Sequence, residues 1–144
     1  MGSGKTTIGR LLAKELCFDF IDTDSFIEVQ QGMTIAEIFE LHGEAAFRKM
    51  EHKLLLELQS YGSAVISTGG GMPCYNDNMD IMLSYGKVAY LKTSPQALAQ
   101  RLIISQNERP LIKGKTETEL LQYITEQLSK REPIYNRANI IISL

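Results

Sequence analysis

The chain has 144 residues, of which 44% are hydrophobic, and its 15 Lys and Arg against 17 Asp and Glu give a formal net charge of -2. That length and apolar content fit one sizeable core, expected as a single domain over 1–144, and the balanced charge gives no electrostatic grounds for a nucleic-acid partner, so an anionic ligand has to be held locally. No apolar run approaches the roughly 20 residues that span a bilayer, the first residues form a glycine-rich polar loop rather than a leader, and Cys17 and Cys74 match neither a CxxC spacing nor a disulfide framework; the chain therefore reads as cytoplasmic, without a membrane partner, and both cysteines read as core thiols.

The first predicted element is a helix opened by a glycine-rich turn. Met1-Gly2-Ser3-Gly4-Lys5-Thr6 supplies the last six positions of the pattern GxxxxGK[ST], Thr7 follows, and Ile8, Leu11, Leu12 and Leu16 then recur at helical spacing. A phosphate needs such a loop because glycines let backbone N–H groups wrap it, the helix N-terminus adds a favourable dipole, and a lysine neutralises its oxygens. Lys5 is the candidate for the β and γ phosphates of a nucleoside triphosphate and Thr6 for Mg2+, with Gly2, Ser3, Gly4 and Thr7 in the same cradle. A plain glycine-rich turn before a helix is the alternative.

Phe18 to Ile21 forms a short apolar strand candidate that ends at Asp22. Asp22 and Asp24 stand at alternate positions, so their side chains leave on one side while strand geometry lasts. One carboxylate could serve Mg2+ and the other an acceptor hydroxyl; a solvated strand end, or a cap for a helix from Ser25, explains them equally well. Thr34 with Glu37 fits a capping box, Gly43 breaks the helix it starts, and Phe47, Met50, Leu54 and Leu58 give the apolar face of the next. Ala64 to Ser67 is a second buried strand and runs into Thr68-Gly69-Gly70-Gly71. Three glycines bring backbone amides to a ligand without a Cβ in the way, and a flexible turn would also explain them.

Val88 to Leu91 is a third strand, after which Ser94 and Pro95 open a helix through about Ile104. Ser105 to Lys115 is polar, holds Pro110 and Gly114, and is expected as an exposed, mobile excursion. Thr116 with Glu119 caps a long helix with Leu120, Ile124 and Leu128 on its apolar side; Pro133 is expected to disturb it, and Ile140 to Ile142 supplies a last strand. Strands alternating with helices predict a mostly parallel sheet covered by helices. Three arginines stand in separate contexts: Arg48 after Gly43-Glu44-Ala45-Ala46-Phe47, Arg109 before Pro110-Leu111, and Arg131 before Glu132-Pro133-Ile134-Tyr135. Solvation explains each taken singly, although a guanidinium fork can grip a carboxylate and a lid arginine can stabilise phosphoryl charge. His42 and His52 lack partners at metal-ligand spacing and read as surface or packing residues.

Taken together and in order, the P-loop, the Asp22-x-Asp24 pair, Gly43-Glu44-x-x-Phe47-Arg48, the triple glycine, Arg109-Pro110-Leu111 and Arg131-x-Pro133-x-Tyr135 resemble the shikimate kinase family across essentially the whole chain. The resemblance implies an α/β P-loop kinase of the nucleoside monophosphate kinase type, with a five-stranded parallel sheet flanked by helices. Its first strand and C-terminal helix are missing here, so the chain reads as a truncated version of a longer protein. The implied activity is ATP-dependent phosphorylation of shikimate to shikimate 3-phosphate, with Mg2+, on the route to chorismate and aromatic amino acids, by a monomer.

Residue by residue, the resemblance implies that Lys5 contacts the ATP phosphates, Thr6 the magnesium, and Asp22 the metal through water. Asp24 binds the attacking hydroxyl, as orienting group and base. Arg48 and Arg131 clamp the shikimate carboxylate, the backbone of Gly69, Gly70 and Gly71 lines the same pocket, and Phe39 and Phe47 supply an apolar wall, within a substrate region of about 24–60. Arg109 becomes a lid arginine, in a lid of about 105–116. Glu51 orients Arg48 from one turn on, and Arg101 stands near adenine. A gluconate-type P-loop kinase and a catalytically silent nucleotide-binding paralogue are the alternatives. The triple glycine and paired arginines argue against the first, and Lys5, Asp24 and Arg109 together argue against the second.

Overall fold

A computed structural model of the chain describes residues 2–104 and 116–144; the expected lid, with Arg109, lies outside the described residues. They fall into two units, Gly4–Gly86, and Met1–Ser3 together with Lys87–Leu144. Both are built of strands that pair in parallel and helices that join them.

In the Gly4–Gly86 unit, Gly4 takes a left-handed conformation (φ 85) that a side chain would strain, and α1 (Lys5–Leu16) starts directly after it. Cys17 closes α1 in the same left-handed region (φ 53), and this turn sends the chain into β1 (Asp19–Asp22). Cys17 is therefore exposed, not a core thiol, and Cys74 is partly buried. The small residues Gly9 and Ala13 are the buried positions of α1, whereas Leu11, Leu12 and Leu16 are exposed.

β1 gives way at once to α2 (Thr23–Gln31). The Thr34–Glu37 capping box forms as expected and starts α3 (Ile35–Leu58), which is interrupted at Gly43 by a non-helical conformation (φ 79, ψ 168). β2 (Ala64–Ser67) pairs in parallel with β1 in the register Asp19↔Ala64 through Asp22↔Ser67. Between Gly71 and Val88, where the sequence signals no element, the chain makes a 3-10 turn over Met72–Cys74 and then α4 (Asn78–Tyr85). Ile21, Ile27, Ile38, Phe47, Leu54 and Leu58 form the core of this unit.

The other unit pairs β3 (Ala89–Lys92) with β4 (Ile140–Ser143), also in parallel. The side chain of Ser94 accepts from the Ala97 N–H at 3.2 Å at the start of α5 (Pro95–Ile104), and a second capping box at Thr116 and Glu119 starts α6 (Glu117–Tyr135). Leu98, Ala99, Leu102, Leu120 and Ile124 form the core between these helices. Pro133 does not stop α6, which continues to Tyr135. The proline falls in the last turn, so it removes one helical hydrogen bond, and the Asn136 N–H still reaches the Glu132 carbonyl at 2.8 Å. No helix among the described residues is long and apolar enough to cross a membrane.

Candidate active site

Parallel pairing in register brings the C-terminal ends of β1 and β2 side by side, the place where parallel α/β sheets gather ligand-binding loops. Beyond those ends the Gly69 N–H donates to the buried Thr23 hydroxyl at 3.1 Å, which ties the triple-glycine loop to the first residue of α2. Asp22 is the hinge of the arrangement. Its Oδ1 caps α2 by accepting from the Asp24 and Ser25 N–H groups at 3.2 and 3.4 Å, and its Oδ2 accepts from the Thr6 hydroxyl at 2.9 Å. Asp24 already belongs to the first helical turn, so the two carboxylates are arranged by a helix cap and not by strand alternation. Lys5 and Thr6 lie in the first turn of α1 beside this cluster.

Asp24 is largely withdrawn from water. Burial is the main reason its carboxyl pKa lies above the ordinary value of 3.8, with the Asp22 charge adding to the shift and Lys5, Glu28 and Arg48 exerting smaller effects, of which those of Lys5 and Arg48 oppose it. Its Oδ1 is buried with no hydrogen-bond partner among the described residues. A Cβ added at Gly69 would stand 2.6 Å from that oxygen, so only glycine leaves room for the carboxylate there.

Arg48, half-buried on α3, reaches the same loop. Its Nη1 donates to Glu51 at 2.7 Å, while Nη2 and Nε donate to one Glu44 oxygen at 2.8 and 3.1 Å. Glu51, expected to orient this arginine, is 1% exposed. Burial by itself would lower the Arg48 pKa, but the bonds to Glu51 and Glu44 outweigh it and the net shift is upward. Phe47 and Phe39 pack as a tilted pair with ring centroids 4.9 Å apart.

A Cβ on Gly71 would collide with Nη1 of Arg48 and lie 2.7 Å from its Cζ. Gly71→Ala should therefore displace the guanidinium and raise the KM of a carboxylate-bearing substrate held there by roughly tenfold, on the order of the loss of one charge-assisted hydrogen bond. The far end of an arginine moves easily, so the melting temperature should change little. An unaltered KM, measured by steady-state kinetics, would show that this contact has no part in binding.

The Gly4–Gly86 unit thus brings together Lys5, Thr6, Asp22, Asp24, Arg48, Gly69 and Gly71. Gly70 is partly buried in the same loop, and Thr7 is exposed on α1. In the other unit Arg131 is partly buried on α6, Ser3 is buried, and Arg101 on α5 points its Nη1 at the Gly2 carbonyl, at the long distance of 3.5 Å. Two contributors had no sequence signal. Tyr75 lies with its ring 4.2 Å from the Arg48 Cζ, and the fully buried Asn78 links His52, at 2.7 Å, to the Met72 carbonyl, at 2.8 Å. His52 is a packing residue with a partner 26 positions away; His42 is exposed.

Known proteins share the sequence pattern and the fold of this chain. The family model described as shikimate kinase matches residues 1–144. The shikimate kinase of Bacteroides fragilis is 45% identical over 141 residues, which are 98% of this chain and 79% of that protein. The crystal structure of the Bacteroides thetaiotaomicron shikimate kinase superposes with a TM-score of 0.96 at 43% identity, covering 99% of this chain and 81% of that one. A shikimate kinase from Acinetobacter baumannii in complex with shikimate gives a TM-score of 0.88 at 38% identity, covering 100% of this chain and 79% of the other. With the phosphate-loop helix, the paired aspartates and the arginine gathered at parallel strand ends, and with relatives this similar over nearly its whole length, the chain belongs to the shikimate kinase family.

Proposed function

We propose that this chain's transfer of the γ-phosphoryl group from ATP to shikimate is organised around Asp24, as the group that receives the acceptor hydroxyl. The observation that carries the reading is Asp24 Oδ1, buried and without a hydrogen-bond donor among the described residues. A buried acceptor left unpaired is unfavourable by about 1 to 3 kcal/mol, and a substrate hydroxyl would satisfy it. The hydroxyl oxygen attacks the γ-phosphorus in line, the bond to the bridging oxygen breaks to release ADP, and the hydroxyl proton passes to Asp24 and then to solvent.

Thr6 and Asp22 are hard oxygen donors already paired at 2.9 Å, the donor chemistry that Mg2+ takes when it keeps most of its water shell. Bound there, the ion supplies charge neutralisation on the transferring phosphate. Lys5 and the N–H groups around Gly2, Ser3, Gly4 and Thr7 hold the ATP phosphates, Arg101 lies toward adenine, and Arg109 acts late from the lid. Arg48 has one N–H on each of Nη1 and Nη2 beyond its bonds to Glu44 and Glu51, a pair suited to two carboxylate oxygens. With Arg131 it clamps the shikimate carboxylate against the amides of Gly69, Gly70 and Gly71, and Phe39 and Phe47 support the ring. This reading treats the chain as one kinase domain, monomeric and cytoplasmic, in keeping with the exposed free thiol of Cys17.

ADP release from Mg·ATP, followed with and without shikimate, tests the reading. Release that depends on shikimate and not on gluconate is the expected result. ATP binding with no acceptor-dependent release would instead favour a silent paralogue.

A further inference from the structure

We propose that Tyr75 is a positioning residue for Arg48, fixing the plane of its guanidinium before a substrate carboxylate arrives; the proposal rests on Arg48 as the carboxylate clamp. Two contacts made by one side chain support it. The Tyr75 ring lies 4.2 Å from Cζ of Arg48, closer than the Phe47 ring at 5.5 Å, and its hydroxyl donates at 3.0 Å to the same Glu44 oxygen that takes Nε and Nη2 of that arginine. The ring holds the flat cation by its face, and the hydroxyl holds the carboxylate that fixes its edge.

The backbone that carries Tyr75 is itself secured. It directly follows the Met72–Cys74 turn, in which the Met72 and Cys74 N–H groups bond to the Gly69 and Gly71 carbonyls at 3.2 and 2.9 Å. Asn78 pins that turn to α3 through the Met72 carbonyl and His52. Tyr75 is 38% exposed, so the ring covers Arg48 from the outside and adds little to the core. A guanidinium held in its binding orientation loses less side-chain entropy when the carboxylate docks, so removing the ring should weaken binding and spare the chemical step.

Steady-state kinetics on Tyr75→Leu, Tyr75→Phe and Arg48→Ala, with shikimate and ATP varied in turn, test the proposal. Tyr75→Leu should raise the shikimate KM about 3- to 30-fold, the range of a partly desolvated cation–π contact, while kcat falls by less and the ATP KM stays put. Tyr75→Phe keeps the ring and should recover most of that loss, and Tyr75→Leu should add nothing when combined with Arg48→Ala. A shikimate KM unmoved in Tyr75→Leu but raised in Arg48→Ala would overturn the proposal and leave the clamp standing. Equal losses in kcat and both KM values, with early melting, would also overturn it, since they mark a structural role. If Arg48→Ala itself leaves the shikimate KM unchanged, the clamp fails and the role of Tyr75 fails with it.

Discussion

Asp24→Asn should lower kcat by about 10²- to 10⁴-fold, the range for a lost general base, and should leave the protein at least as heat-stable as its parent. The two effects have one origin. Burial raises the Asp24 pKa above 3.8, which means that the fold disfavours the ionised carboxylate. For an acid whose folded pKa lies above its unfolded one, the associated stability is fully present below the unfolded pKa and is lost as pH rises through the folded pKa. The parent loses it as pH rises, whereas an amide at position 24 has no proton to lose. The hydroxyl acceptor has to be ionised, so kcat/KM in the parent should fall on the acid side at a pH above the ordinary aspartate range. Differential scanning calorimetry and a pH profile read both limbs. A variant that melts earlier at neutral pH, or keeps a tenth of kcat, would remove Asp24 from the centre of the reaction.

Arg48→Ala should raise the shikimate KM by a factor of roughly 30 to several thousand, corresponding to ~2 to 5 kcal/mol for truncating one side of a buried charged contact. The same change takes a hydrogen-bonded cation away from Glu51, which is 1% exposed and 2.7 Å from Nη1. Stripping a buried carboxylate of its ion-pair partner destabilises by about 3 to 5 kcal/mol, comparable to the whole stability of many small proteins. The single variant should therefore lose melting temperature as well as affinity. Adding Glu51→Gln removes the stranded charge, so the double variant should regain much of the lost melting temperature and none of the shikimate affinity. Thermal melts and shikimate titrations on the pair would separate the two; recovery of the KM along with the melt would show that Arg48 acts only through stability.

What could be read from the chain and what could not divide along the distance over which each signal acts. The capping boxes at Thr34 with Glu37 and at Thr116 with Glu119 close within one turn, and both form as their spacing implies. The break at Gly43 is likewise a property of one residue and its neighbours, and the short strands fall within a residue of their apolar runs. Asp22 and Asp24 were ambiguous because a strand end and a helix cap place the same residues. Only the start of α2 one residue after Asp22 decides between them. Pro133 was expected to disturb α6, but a proline's cost depends on how much helix surrounds it, and only Ile134 and Tyr135 follow it here. Cys17 looked like a core thiol because thiols are usually buried, but the left-handed turn it occupies faces water. Tyr75 and Asn78 carried no signal at all: their partners lie 31 and 26 positions away for Glu44 and His52, and only the fold brings them together.

The interruption of α3 bears on chirality. At Gly43 the backbone lies in a region open essentially to glycine alone, yet a Cβ built there meets nothing within 4 Å. Size is therefore not what excludes a side chain; handedness is. An L-alanine would be strained by about 1 to 3 kcal/mol, whereas its mirror image would find these same angles in its own extended region. A D-alanine introduced by chemical ligation would escape that backbone strain and restrict the unfolded chain, by an amount on the order of 0.4 to 1 kcal/mol, so what the break in α3 demands of position 43 is a handedness that the ribosome's chiral residues do not have.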